Sequence, residues 1–374
     1  LGAASSWGPY LDVLPEDFPS VPIWFSDEDW SWLEGSLFRK RIKRHRESLE
    51  KQYETISELV PEFPSEFSLD EFLWARAAIS SRVFGWNLPG LPVEDGTDFM
   101  VPLGDMFNHR SPKQVEWSFN KTTNSFEYKA LEDIPAGSEI LISYGGKCNS
   151  QYLLSYGFTI PNVSKRWPPV STVRVEMALD AEVPEREPRQ RWLLKSRLQE
   201  VDGELALEEF ELKANTFKAA GAENMLAYAR LLSLPGGDEF ERRVKSRSCS
   251  RYATPPRCQQ AMGLENELAA VKRSVHAVDA ALAAYPTTLE EDEELLPTLS
   301  GLPLSLVTLR RDEKVVLRWW QRFFKLALEG FSIEPDLLEN RTAEAFGEFS
   351  PESVYLRVSL PALLKVEREI KVSV

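Results

Sequence analysis

Cysteine and histidine are scarce in this chain. Its 374 residues hold only Cys148, Cys249 and Cys258, and only His45, His109 and His276. An odd, widely spaced cysteine set does not form a disulfide framework. With no CxxC and no His/Cys cluster, no metal centre is expected. Positive charge is also short. The formal net charge is −14, which argues against a broad nucleic-acid surface and leaves room only for a local basic patch. No apolar run approaches the roughly 20 residues needed to cross a membrane. No signal or transit segment is visible, and with Leu1 in place of Met at the start that absence decides nothing.

What is present reads as ordinary globular sequence, 43% hydrophobic and 27% charged. The length exceeds what one compact core usually spans, so two domains are expected. The most informative stretch runs from Phe99 to Phe158. An apolar strand-like run leads into PLGDMFNH, which reads as a polar tight bend carrying Asn108 and His109. A strand pair follows, then a Pro135-Ala136-Gly137 turn and a second apolar run from Glu139 to Ser143. That run stops at Tyr144-Gly145-Gly146, where the glycines let the backbone turn. A short helix-like segment then leads to Tyr156-Gly157-Phe158. Taken singly, an Asn-His pair is a turn cap and a Tyr-Gly-Gly is a strand end. Their order and spacing are more specific.

PLGDMFNH, a gap of about thirty residues, AGSEILISYG and a helix ending SYGF together resemble the SET-domain protein methyltransferases. The branch is the one that includes the Rubisco large-subunit lysine methyltransferase and the actin histidine methyltransferase. The resemblance implies an α+β fold: a SET-type β-fold over residues 1–160 with a helical insert at about 26–84, then a mostly helical substrate-binding domain over 161–374. It also implies an N-terminal lobe, carrying a Gly-x-Gly cofactor loop, that has no counterpart before Leu1–Trp7.

Residue patterns outside that stretch supply the remaining elements. Leu1–Phe25, rich in proline and aromatics, reads as extended. Ser26 reads as an N-cap, followed by one helical stripe through Trp30, Leu33, Leu37, Ile42, Leu49, Tyr53, Ile56 and Val60. The basic run Arg39–Arg46 within it reads as a solvated face, with nuclear localisation or docking as sharper alternatives. Ser68 and Glu71 form a capping box for a helix over Phe72–Phe84. Pro161–Pro169 reads as the interdomain linker. Beyond it, a strand over Thr172–Leu179 precedes helices over Gln190–Leu198, Leu207–Ala219, Glu223–Leu234, Leu264–Tyr285, Leu289–Leu296 and Leu304–Glu329. A loop is expected over Arg242–Arg257. The stripe Leu264, Leu268, Val271, Val275, Val278, Leu282 reads as core, and the acidic run after Leu289 as solvated anions.

The resemblance also assigns roles. Tyr144 is the catalytic residue, its hydroxyl beside the migrating methyl of S-adenosyl-L-methionine. Asn108 and His109 hold that cofactor, with backbone contacts from Asp105, Met106 and Phe107. Arg82 approaches it, and Gly157 and Phe158 close over its adenine ring. Tyr156 lines the acceptor channel. Histidine-methylating relatives carry Trp where this chain has Gly104 and Ser where it has Tyr156, so the resemblance implies lysine of a non-histone protein substrate as acceptor. The alternatives are histidine methylation and a non-catalytic interaction protein with a degenerate SET fold. A monomer is expected, with no direct nucleic-acid or membrane partner.

Overall fold

The structure is a computed structural model that describes residues 5–85, 98–161, 172–177, 200–201, 204–205, 208–213, 221–237, 240, 242, 249–250, 257–258, 260–346 and 354–372. The loop expected over Trp86–Asp98 and the linker beyond Pro161 lie almost wholly outside these residues, as does the helix expected over Gln190–Leu198. The chain divides into two compact units. One comprises Leu1–Leu33, Phe38–Pro169 and Thr298–Leu309; the other comprises Glu34–Leu37, Val170–Pro297 and Arg310–Val374.

Proline opens helices near the start of the first unit where extended chain was expected. Gly8–Leu11 is a helical turn with proline at its first positions, and Pro22–Trp24 is a 3-10 turn begun in the same way. Proline lacks the N–H that the first turn of a helix leaves unused, so it begins a helix as readily as it breaks one. The single stripe expected from Ser26 to Val60 is in fact two helices, Asp27–Trp32 and Phe38–Leu59. Between them Gly35 takes a φ of +82°, and a Cβ there would lie 2.4 Å from the Ala284 carbonyl oxygen. The Ser26 cap is real: its hydroxyl receives the Asp29 N–H while Asp29 returns a bond to the Ser26 N–H. Ser68 and Glu71 do the same for the helix Leu69–Ser80.

The basic run in the helix Phe38–Leu59 is partly internal. Arg46 Nη1 donates to the Ile23 carbonyl at 2.7 Å and Arg41 Nη1 to Ser150 Oγ at 3.4 Å. Phe38, Ile42 and Leu49 are buried in two small cores. One gathers Phe25, Leu33, Phe38, Ile42, Leu153, Leu306 and Leu309; the other gathers Val21, Ile23, Leu49 and Leu73.

The strands of this unit come in pairs. β1 (Val83–Phe84) pairs antiparallel with β2 (Phe99–Met100). β3 (Asn108–His109) pairs parallel with β6 (Leu141–Ile142). β4 (Val115–Asn120) and β5 (Ser125–Ala130) form a hairpin in register Val115↔Ala130 to Asn120↔Ser125. Asn108 and His109 therefore lie on a strand. The bend expected at them sits earlier, at Leu103 (φ +71°) and the 3-10 turn Gly104–Met106. A parallel pair needs a long crossover, and here the β4–β5 hairpin provides it. Phe84, Val115 and Ile142 form the core beneath, with Phe107, Trp117, Phe126 and Tyr144 packed against it.

In the second unit, β7 (Thr172–Met177) pairs antiparallel with a strand over Glu208–Lys213, where a helix was expected. The sequence Glu-Glu-Phe-Glu-Leu-Lys is rich in helix formers, but Phe210 and Leu212 alternate with polar residues and both are buried. That two-residue period fits one face of a sheet, and tertiary burial overrides propensity. Arg242–Arg257 was expected to be loop; within and beside it Cys249–Ser250 and Arg257–Cys258 form a short ladder. The helices Gly221–Leu232 and Leu264–Ala283 stand close to expectation, and the long helix starts at Gly301 and runs to Glu329. Val271 and Val278 are buried, with Leu264, Val275 and Leu282 against the same core. The acidic helix Leu289–Leu295 is not wholly solvated: Asp292 is buried and accepts from Arg310 Nε at 3.0 Å and Lys314 Nζ at 2.7 Å.

Candidate active site

The parallel pairing of β3 with β6 brings two distant stretches together. His109 Nδ1 accepts the Tyr144 backbone N–H at 2.9 Å, and the Tyr144 hydroxyl donates to the Phe107 carbonyl at 2.8 Å. The tyrosine after β6 is thus bonded at both ends to residues of the β3 segment. With Nδ1 accepting, the neutral imidazole carries its proton on Nε2, an atom that is buried without a hydrogen-bond partner. Burial, helped by the nearby Lys147 charge, pulls the His109 pKa down to about 4, so the ring is neutral at physiological pH.

The helix Asn149–Tyr156 supplies the facing aromatics. Tyr144 stacks on Tyr156 at 4.7 Å between centroids, and Phe158 stacks on Tyr152 at 5.3 Å. His109 packs among Tyr144, Tyr152 and Phe158 at 5.1, 5.0 and 5.9 Å. Gly157 ends the helix in the left-handed conformation, φ +77°. A Cβ there would lie 2.4 Å from Ser20 Oγ and 2.9 Å from Ser20 backbone atoms, so only glycine fits.

A cavity of about 320 Å³ opens beside these rings, bordered by Arg82, Asp105, Trp117, Tyr144, Lys147 and Tyr156 among others. Arg82 stands just beyond the helix Leu69–Ser80 and donates through Nη1 to the Asp105 carbonyl at 3.1 Å; the same nitrogen is 3.6 Å from Met106 Sδ. Its Nη1 also lies 3.6 Å from Asp105 Oδ2. Asp105 is buried, and Oδ2 receives the Tyr10 hydroxyl at 2.5 Å. That bond and, above all, burial raise the Tyr10 pKa. Gly104 is wedged beneath Tyr128, whose hydroxyl donates to its carbonyl at 2.9 Å.

Of the expected site residues, Arg82, Asp105, Tyr144 and Tyr156 therefore border one cavity. His109 and Phe158 pack behind Tyr144, and Phe107 receives its phenol. Met106 lies under Arg82, and Gly157 holds the turn into Phe158. Asn108 is exposed and donates its side-chain amide to Glu139 at 2.6 Å. Sequence reasoning missed Tyr10, Tyr128 and Lys147. Tyr10 lies 95 residues from Asp105, beyond any local pattern. Lys147, the first cation after the Gly145-Gly146 turn, carried the one signal that could have been read.

Burial raises the pKa of Tyr144, outweighing the opposing pull of Arg82. It also pushes Tyr156 up to about 12, aided by Tyr144 and Tyr152. Both phenols stay protonated near neutral pH. Tyr144, whose proton goes to the Phe107 carbonyl, can accept from and orient a bound group, Tyr156 can donate, and neither can serve as a general base.

Residues 24–145 match the SET domain family, and residues 184–331 match the Rubisco LSMT substrate-binding family. The chain carries a SET domain followed by a Rubisco LSMT substrate-binding domain. It is 27% identical over 351 residues to the ribulose-1,5 bisphosphate carboxylase/oxygenase large subunit N-methyltransferase of Pisum sativum, covering 90% of this chain and 66% of that protein. It is 23% identical over 326 residues to the actin-histidine N-methyltransferase of Mus musculus, covering 84% of this chain and 52% of that protein. The curated relatives are longer, the chain spanning from 33% to 67% of their length. A solved SET domain of LSMT bound to lysine and AdoHcy has the same fold, with a TM-score of 0.64, 23% identity and coverage of 87% of this chain and 72% of that one.

Proposed function

We propose that this SET protein is an S-adenosyl-L-methionine-dependent protein N-methyltransferase whose acceptor is a lysine of a non-histone protein. The observation that carries the reading is the placement of Tyr144, tied by its N–H to His109 and by its hydroxyl to Phe107, and forming the wall of a cavity with Tyr156 and Arg82. The relatives support it: those that match along most of this chain include enzymes named for methylating Rubisco, an aldolase and actin.

The residues present fit the donor. His109 Nε2 and Arg82 Nε are buried without hydrogen-bond partners, and the cavity beside Arg82 and Asp105 has room for part of such a molecule. When bound, the cofactor supplies an electrophilic methyl on a sulfonium that is already a good leaving group. The chain's task is then alignment. Tyr144 and Tyr156, held protonated, orient the acceptor, and the aromatic walls exclude water. No residue needs to take a proton in the displacement itself, because the amine enters after losing its proton.

Two features favour lysine over histidine. Tyr156 stacks on Tyr144 where histidine-directed relatives have the small serine. A Cβ on Gly104 would lie 2.2 Å from Tyr128 Oη and 2.8 Å from Val101 Cγ1, so the tryptophan of those relatives has no space here. The similarity to actin-histidine methyltransferases keeps histidine as the second reading. We also place the division between a SET domain and a substrate-binding domain at about residue 160, and take the working form to be a monomer. Calorimetric titration with S-adenosylmethionine tests the site: micromolar binding is expected, and no detectable heat overturns the reading. Mass spectrometry of protein substrates labelled by the enzyme separates methyl-lysine, the expected product, from methyl-histidine.

A further inference from the structure

The described residues bordering the Tyr144 cavity include three cations, Arg82, Lys113 and Lys147, and two carboxylates, Asp105 and Glu116. Two of the cations are matched: Arg82 lies 3.6 Å from Asp105 and Lys113 lies 2.5 Å from Glu116. Lys147 is held differently. Its ammonium donates to the Tyr144 carbonyl and sits 5.8 Å from the centroid of the Tyr156 ring. A carbonyl dipole and a ring face stabilise a cation without cancelling its charge. The turn at Gly145, φ +91°, is what folds the side chain back, and a Cβ on Gly145 would lie 3.5 Å from Lys147 Nζ. The two tyrosines that wall the acceptor side are thus joined by a positive charge with no carboxylate partner among the described residues. Burial first, and the Lys147 charge second, disfavour the His109 imidazolium, and burial also lowers the pKa of Lys147 itself from its ordinary value.

We infer that Lys147 is a positioning residue that makes the cavity admit the acceptor amine in its uncharged form. The inference rests on the lysine-methyltransferase reading of the same cavity. A lysine ammonium has no lone pair with which to attack a methyl group, and its ordinary pKa of about 10.4 leaves it almost wholly charged near neutral pH. A fixed like charge nearby destabilises the ammonium relative to the amine. Among the described residues the charged and titratable groups bordering the cavity are Arg82 after the helix Leu69–Ser80, Asp105 in the 3-10 turn, Lys113 before β4 and Glu116 in it, and Tyr144, Lys147 and Tyr156, with His109 and Glu139 acting from behind Tyr144. With Arg82 and Lys113 paired and the phenols neutral, Lys147 is, among the described residues, the cation that adds its field to the positive charge of the donor's sulfonium.

The test compares Lys147→Met and Lys147→Arg with the wild type in two measurements. The first is the pH profile of kcat for methylation of a lysine-containing protein acceptor, whose acid limb reports the amine in the complex. In Lys147→Met that limb should move up by on the order of one pH unit, costing about tenfold in rate on the limb and little on the plateau. Lys147→Arg should leave the limb in place. A Lys147→Met limb that stays put, or one that moves equally in both variants, overturns the inference. The second measurement needs no turnover: the His109 imidazole is titrated by NMR. Its pKa should rise in Lys147→Met and hold in Lys147→Arg, and an unmoved Lys147→Met titration overturns the claim that the charge acts in this site. A wild type that binds S-adenosylmethionine yet methylates no protein overturns the functional reading, and the inference with it. Methylation with an unshifted limb overturns the inference alone.

Discussion

The phenol of Tyr144 is the atom group on which the site turns. Its donation to the Phe107 carbonyl fixes the ring, and its buried position keeps it protonated. Tyr144→Phe should lower methyl transfer by about 100-fold, the usual cost of deleting one oriented donor, with circular dichroism and melting temperature nearly unchanged; turnover within twofold of wild type would remove the hydroxyl from the mechanism. Gly104 is the second sensitive position. Gly104→Ala puts a Cβ against Tyr128 Oη, and overpacking of this kind costs about 1–3 kcal/mol, measurable by urea denaturation. These two residues differ in how they could be read. Tyr144 was legible because it stands at the end of an apolar run before two glycines, in a spacing shared with a family. The need for glycine at 104 was not, because it comes from Tyr128, which arrives from the far strand of a hairpin.

At the level of elements, local rules succeeded where the chain's own neighbours satisfy its backbone. The capping box at Ser68 is such a case, and Glu71 shows it electrostatically: hydrogen bonds from the Ser68 backbone and hydroxyl lower its carboxyl pKa. Ser68→Ala should cost about 1 kcal/mol, read from the denaturant midpoint. The rules failed where a partner from elsewhere decides. Glu208–Lys213 has helix-forming residues, yet its Phe210 and Leu212 meet Val173 and Val175 of β7 across a sheet. Leu212→Ala should cost about 2–5 kcal/mol as a core truncation, far more than the same change on an exposed helix. The split of the 26–60 stripe at Gly35 has the same origin, since the Ala284 backbone leaves no space for a side chain there.

At the scale of the molecule, a pH dependence of stability is centred on Glu313, a buried carboxyl among the described residues. It is fully buried, bonded to the Tyr285 hydroxyl at 3.0 Å, and burial raises its pKa from 4.5 to about 7. A carboxyl that holds its proton more tightly folded than unfolded adds stability below the unfolded value. That contribution is lost as pH rises from about 4.5 through 7. Glu313→Gln should flatten this part of the stability curve, and thermal melts between pH 5 and pH 8 check it. The sequence alone determined the family spacing of Asn108, His109 and Tyr144 and the caps, because each rests on residues close in the chain or on a spacing that can be counted. Only the tertiary structure decided that β3 lies against β6, that Tyr10 holds Asp105, and that Lys147 folds onto Tyr156. Those contacts depend on the distance between segments once folded, and no local preference of the chain encodes that distance.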